Sequence, residues 1–399
     1  MGADSLGSML QTLAISGYRS VRDLVLPLAP LTVVTGANAV GKSNVYRALK
    51  LISELGHDGA IASLAREGGL ASATWAGPEA GSRPRGAEPA RAAQGTRRRQ
   101  AVALKLGFAT DGYGYTVDLG MPPPDMDPRD PTMFGQDPII KTESVFFGPV
   151  LRPGTLAVKR NGPLVQVRDS AQLHDARIRL ADWESVLSLV DSSTAPEVGQ
   201  LRRELQGWRF YDALRTDAQA PARQEQVGTR TPVLASDGAD VAAAIRTIVE
   251  QSDPAPFRQA IARAFDGSEV RITGSEAGRF SLQLKQPGLL RALSAAELSD
   301  GTLRYLLLAT ALLSPRPAPL LVLNEPENSL HPQLLEPLGE LIAQASGRSQ
   351  IVVVSHSSHL VAALEAHGAL RHELVKESGE TVLQDQGVFD RPAWAWPRR

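Results

Sequence analysis

The chain of 399 residues contains no cysteine. That excludes disulfides, thiolate zinc sites and cysteine nucleophiles, and it fits a reducing compartment. Long apolar runs are missing too. The richest stretch, Tyr305 to Leu313, falls well short of the roughly 18 residues that a membrane span needs. The opening "MGADSLGSMLQTLAIS" has no basic segment followed by a long apolar one. No secretion signal is read there, no membrane association is expected, and a cytoplasmic protein is. Aromatic residues make up only 5%, and the net charge is −1. A global field for nucleic acid or membrane is thereby excluded, so any DNA-binding surface must be a local patch. Hydrophobic residues, at 43%, suffice for a sizeable core. The length suggests two or three domains, or one large α/β domain with insertions. No internal repeat and no long heptad array is visible.

What is present reads as alternating strands and helices. The β-prone runs "QTLAISGYRS", "LVLPL" and "LTVVTG" form a meander over residues 11–35. A helix follows over 41–55, with Val45, Ala48, Leu49, Ile52 and Leu55 on one face. From 69 to 100 the composition shifts to Gly, Ala, Pro and Arg, the mark of a flexible insertion. "AVALKLGFA" and "GYGYTVDLG" suggest a hairpin, and "IIKTESVFFG" another strand. Residues 180–265 read as mainly helical, 269–285 as strands and 299–314 as a strongly apolar helix. The short apolar runs at 320–323 and 351–354 are typical of buried parallel strands. The fold class expected is α/β, a mixed β-sheet with helices plus a compact, largely helical insertion lobe. Its parts are an N-terminal half at 1–150, carrying the insertion at about 78–100, the lobe at 151–285, and a C-terminal half at 286–399.

"GANAVGKS", Gly36 to Ser43, fits the phosphate-loop pattern G-x-x-x-x-G-K-[ST] at every fixed position. The apolar strand "LTVV" precedes it and a helix follows, which is the context the motif requires. Gly36 and Gly41 let the backbone amides of Ala37, Asn38, Ala39 and Val40 turn inward around phosphates. Lys42 is expected on the β- and γ-phosphates and Ser43 on Mg²⁺, so ATP and Mg²⁺ are the expected cofactors. Asn38 and Asn44 can add hydrogen bonds or simply serve the turn and the helix.

Three later stretches complete the pattern. "LSDGT" places Ser299, Asp300, Gly301 and Thr302 at the start of an apolar helix, where a hydroxyl and free amides can grip a phosphate. This resembles the LSGGQ signature of ABC-type ATPases, which acts in trans on the nucleotide of a second protomer. Ordinary helix capping by Ser299 or Thr302 is the alternative use of the same residues. "LLVLNEPE" then puts Glu325 where the general base that positions water is expected, with Pro326 and Ser329 in the following turn. Asn324 stands where such sites usually carry an aspartate for the magnesium ion. An amide oxygen can accept the same hydrogen bond, but it brings no charge. Hydrolysis is therefore expected to be slow rather than absent. His356, after the apolar run "QIVVV", matches a switch histidine that senses the γ-phosphate. His331 and His359 have no such support.

Over most of its length the chain resembles bacterial AAA-type ATPases of the SMC/RecF/ABC-head superfamily. "ISGYRSVRDLVLPLAPLTVVTGANAVGKSN" is similar to their shared opening. "GWRFYDALRTD", "AELSDGTLRYLLLATALLSPRP" and "LVLNEPENSLHPQLL" are similar to a RecF-like subgroup in which Asn before the glutamate is common. The resemblance implies an ATP-sandwiched homodimer, and it places Arg19 and Ser20 near the nucleotide. It also marks departures. Long-armed relatives insert coiled coils between Walker A and the signature, and none is readable between Lys42 and Ser299. Relatives with a nuclease domain after the switch histidine have a longer tail than the one following His356.

The partner is less determined. Arg83, Arg85, Arg91, Arg97, Arg98 and Arg99 face a single Glu88 in residues 81–100, a run that can bind phosphates but has no aromatic residue to stack bases. Arg202, Arg203, Arg209 and Arg215 are equally suited to ion pairs within the fold. Two readings stand: a DNA-acting ATPase in repair or phage defence, and an ATP-gated switch for a separate protein partner. A transporter subunit fits poorly, because the signature departs from LSGGQ and lies far from the phosphate loop.

Overall fold

A computed structural model describes residues 9–57, 59–77, 103–122, 132–169, 172–189, 195–387 and 390–397. The arginine-rich stretch at 81–100 lies outside the described residues. The chain divides into two compact units, neither continuous in sequence. The first comprises Met1–Ala29, Gly36–Trp208 and His372–Arg399, the second Pro30–Thr35 and Arg209–Arg371.

Unit 1 is built on an antiparallel sheet. Numbered along the whole chain, its strands are β1 (Leu10–Tyr18), β2 (Val21–Pro27), β4 (Leu104–Thr110), β5 (Tyr113–Gly120), β6 (Ile139–Phe147), β7 (Leu156–Asn161), β8 (Leu164–Asp169) and β9 (Gln172–Arg179). Their order in the sheet is β2-β1-β4-β5-β6-β7-β8-β9. Tight turns set the register. Thr110 Oγ1 accepts from the amides of Gly112 and Tyr113 and so closes β4 onto β5. Gly162, at φ 55°, turns β7 into β8. At the centre of the sheet Glu143 and Arg160 are fully buried, 3.7 Å apart. Tyr115, Ser185 and the Val186 amide donate to the Glu143 carboxylate. Burial pushes that carboxyl up from its usual range, and these donors oppose the shift. Helices α1 (Lys42–Leu55), α2 (Ala60–Arg66), α3 (Leu70–Ala73), α4 (Val186–Leu189) and α5 (Pro196–Gly207) complete the unit, with the hairpin of β17 (Leu370–Glu377) and β18 (Glu380–Leu383).

Unit 2 contains a parallel sheet. Strands β10 (Arg209–Tyr211), β15 (Leu320–Asn324), β16 (Gln350–Val354) and β3 (Leu31–Gly36) lie side by side in that order. Leu320 to Leu323 and Ile351 to Val354 are buried, which explains their unbroken apolar sequence. Around them are α6 (Val241–Gln251), α7 (Ala255–Ala264), α8 (Asp300–Leu312), α9 (Leu335–Ser346) and α10 (Ser358–Ala366). One core joins Val33, Tyr211, Ile245, Phe257, Leu303, Leu307, Leu323, Leu338, Val353 and Leu364. A smaller antiparallel sheet orders β11 (Gln226–Val227), β13 (Arg279–Lys285) and β12 (Glu269–Gly274), and β14 (Leu293–Ser294) also pairs with β13.

The segment 151–285 therefore holds more strand than its sequence suggests. Residues 156–179 extend the antiparallel sheet of unit 1 as β7 to β9, and β10 lies within the 180–265 stretch read as helical. The helices expected at 41–55 and 299–314 form as α1 and α8.

Candidate functional site

In unit 1 the loop from Gly36 to Gly41 has the backbone of a phosphate cradle. Gly36, Ala39 and Gly41 take φ of 141°, 63° and 106°. A Cβ on Gly36 would lie 2.3 Å from the Leu374 carbonyl, and one on Gly41 2.4 Å from Thr381 Oγ1. Glycine is required at both by conformation and by space. Ala37, Asn38 and Ala39 are exposed at the loop tip, whereas Val40 is buried. Lys42 opens α1, is buried, and donates to the carbonyls of Gly36 at 2.8 Å and Ala37 at 2.9 Å. Ser43 lies one residue on and is half-buried.

Ser20 and Asn44 meet beneath this loop. Asn44 Nδ2 donates to Ser20 Oγ at 2.8 Å, and Ser20 Oγ shares a 2.7 Å hydrogen bond with Thr381 Oγ1. Thr381 Oγ1 in turn donates to the Val40 carbonyl at 2.6 Å. Thr381 ties the loop to β18, and no motif in the sequence marked it. Arg19 is held differently: it takes φ 50° and its guanidinium pairs with Glu67 at 2.8 Å. Tyr18 OH donates to the same carboxylate.

Unit 2 gathers the acidic strand, the signature helix and the histidine. Glu325 follows β15 at φ 48°, a left-handed conformation that costs a non-glycine residue about 1 kcal/mol or more. Two contacts hold it there. Its N–H donates to the Val354 carbonyl at 2.7 Å, and its own carbonyl accepts from Arg304 Nη2 at 3.3 Å. Arg304 comes from α8, so the signature helix and the expected base are joined directly. Burial pulls the Arg304 guanidinium down from the usual arginine range, against the pull of Glu327 and Asp212. The Glu325 carboxylate accepts from Asn328 Nδ2 at 3.0 Å and lies 3.8 Å from His356 Nδ1. Asn324 Oδ1 is buried and has no hydrogen-bond partner. A free, buried acceptor of this kind suits a hard cation or one of its waters.

Ser299 caps α8: its Oγ accepts from the Thr302 amide at 3.2 Å and shares a 2.9 Å bond with Thr302 Oγ1. Asp300 pairs with Arg223 at 2.7 Å. A Cβ on Gly301 would lie 2.7 Å from the Ser329 carbonyl, so the turn after Glu325 packs directly on the signature. Ser299 and Asp300 are exposed. Glu327, which the sequence reading passed over, is buried and accepts from Ser355 Oγ, His356 N and Ser357 N. Among the described residues no cluster of three or more acidic, His or Cys side chains could hold a metal alone. No described helix is long and apolar enough to cross a membrane.

Residues 31–362 match the family described as "AAA domain, putative AbiEii toxin, Type IV TA system". No curated protein matches the chain. Among solved structures, the SMC head domain from Thermotoga maritima is similar at 15% identity and TM-score 0.47, covering 95% of this chain and 100% of that one. An SMC head bound to the C-winged helix domain of ScpA is similar at 13% and 0.48, covering 94% and 96%. An SMC head with an extended coiled coil from Pyrococcus furiosus gives 13% and 0.48, covering 94% and 95%. The phosphate loop, the acidic strand and a family match spanning both mark the chain as a member of that AAA-domain family.

Proposed function

We propose that this protein binds Mg²⁺-ATP and hydrolyses it slowly, in a homodimer that sandwiches the nucleotide. The observation that carries the reading is Glu325, held in a left-handed conformation at the end of a buried strand, with its carboxylate 3.8 Å from His356. Rigid placement of a carboxylate is what positioning an attacking water requires. Lys42 exchanges the Gly36 and Ala37 carbonyls for the β- and γ-phosphates, and the amides of the 36–41 loop surround them. Ser43 and Asn324 are the residues suited to Mg²⁺, which when bound neutralises phosphate charge. His356 reads the γ-phosphate. Ser299 and Gly301 grip the γ-phosphate of the second copy, and the exposure of Ser299 supports a role across subunits. The test is phosphate release by wild type and Glu325→Gln. The variant is expected to lose about 100-fold or more, on the scale of a missing general base. Equal rates would sink the assignment.

The substrate acted on is proposed as DNA, on the RecF-like resemblance of the sequence. The alternative, an ATP-gated switch for a protein partner, is favoured by the net charge of −1.

A further inference from the structure

Glu327 is a buried carboxylate that the hydrolytic scheme above does not use. Its side chain is 6% exposed. One oxygen, Oε1, accepts from Ser355 Oγ at 2.6 Å, His356 N at 2.9 Å and Ser357 N at 3.2 Å. The other, Oε2, is buried without a partner. Burying a carboxylate this way is costly, and its lone oxygen adds to the cost. No lysine or arginine lies within ion-pair distance of it among the described residues. If capping the 355–357 loop were the whole purpose, an amide would do it without a charge to desolvate.

Beyond the loop the charge acts on the Arg304 guanidinium, outside ion-pair distance, and on His356. His356 Nδ1 lies 3.3 Å from the same Oε1. We infer that Glu327 is the positioning residue of His356, fixing both its backbone and the proton on Nδ1. A carboxylate at Nδ1 selects the tautomer with hydrogen on that atom and leaves Nε2 as the nitrogen free to meet a ligand. One side chain thus does two things. It holds the turn that follows β16 through two amides, and it orients the ring that the turn carries. Ser355 strengthens the arrangement, since its Oγ also accepts from the Ser357 amide at 3.1 Å and its N–H donates to the Val34 carbonyl at 3.0 Å. Glu325 sits on the same strand end as Glu327, so any movement of this acidic turn reaches the histidine through Oε1.

The role of His356 toward phosphate rests on the function proposed above, but the tautomer does not, and the experiment separates them. Glu327→Gln keeps the shape and one oxygen for the loop amides while removing the charge. In wild type, ¹⁵N spectra of histidine-labelled protein are expected to show His356 protonated at Nδ1 near neutral pH. In Glu327→Gln the Nδ1–H population is expected to fall, with an unchanged melting temperature. For phosphate release, Glu327→Gln is expected to lower kcat about tenfold and leave KM within about twofold, the scale of a lost outer-shell partner. In a His356→Ala background the same substitution is expected to change kcat by less than about twofold, because the two residues act as one. An unshifted His356 spectrum, or an equal kcat loss in both backgrounds, overturns the inference. Failure of the Glu325→Gln test removes the kinetic arm only, and the spectra still decide. If Glu327→Gln does not fold, Glu327→Asp is read the same way, its shorter carboxylate drawing back from Nδ1.

Discussion

Asn324 Oδ1 is buried and unpartnered at the end of β15, and its amide carries no charge. An aspartate there would add one negative charge beside the expected cation. At about 4 Å that charge is worth about 1 kcal/mol in water and about 4 kcal/mol at intermediate dielectric. Asn324→Asp is therefore expected to lower the Mg²⁺ concentration for half-maximal phosphate release by about fivefold or more. A magnesium titration of both proteins checks it, and an unchanged midpoint would place Asn324 away from the metal. Residues of this kind were legible because their neighbours form motifs. Glu327, Thr381 and Arg304 were not. Each acts through a partner distant in sequence: Glu327 through His356, Thr381 through Val40, Arg304 through Glu325. No local pattern records such a pairing.

Elements differ in how much of their position their own sequence encodes. Helix α8 was readable from "DGTLRYLLLATALL", yet its closeness to the 325–330 turn shows only in the structure, at Gly301 and Arg304. A methyl group there meets the Ser329 carbonyl at 2.7 Å, and backbone yields less readily than a side chain. Gly301→Ala is expected to displace the turn bearing Glu325 and to cut phosphate release about tenfold or more, as small misplacements do. Fluorescent-ADP affinity is expected to stay within about twofold, since ADP is held by the phosphate loop and lacks the γ-phosphate that Gly301 is proposed to grip. Parallel losses in both would argue for general unfolding instead. Strands β7 and β8 did have a local signal, the Asn161-Gly162 pair of a hairpin turn, which the sequence reading passed over. Strand β10 had none. Three residues, Arg209–Tyr211, become a strand only because β15 offers a parallel edge.

At the scale of the molecule, the phosphate loop belongs to one compact unit and the signature, Glu325 and His356 to the other. The proposed sandwich adds a second copy of each. Blocking hydrolysis should preserve that assembly, so Glu325→Gln with ATP is expected to elute as a dimer. The same sample, mixed with duplex DNA at low salt, is expected to shift DNA more than the nucleotide-free protein does. A monomer would refute the sandwich, and a dimer without any ATP-dependent shift would favour the protein-partner reading.

The sequence by itself determined the chemistry that local spacing can write. Gly36, Gly41, Lys42 and Ser43 fall within one loop and one helix turn, and the unbroken apolar runs of β15 and β16 announce burial on both faces. Only the tertiary structure decided which side chains share a carboxylate or a carbonyl. Glu327 with the 355–357 loop, Ser20 with Thr381 and Asn44, and Arg19 with Glu67 are all such cases. The physical reason is that motifs are set by backbone geometry over a few residues. Hydrogen-bond partners of buried groups are set by which distant strands and turns the core brings together.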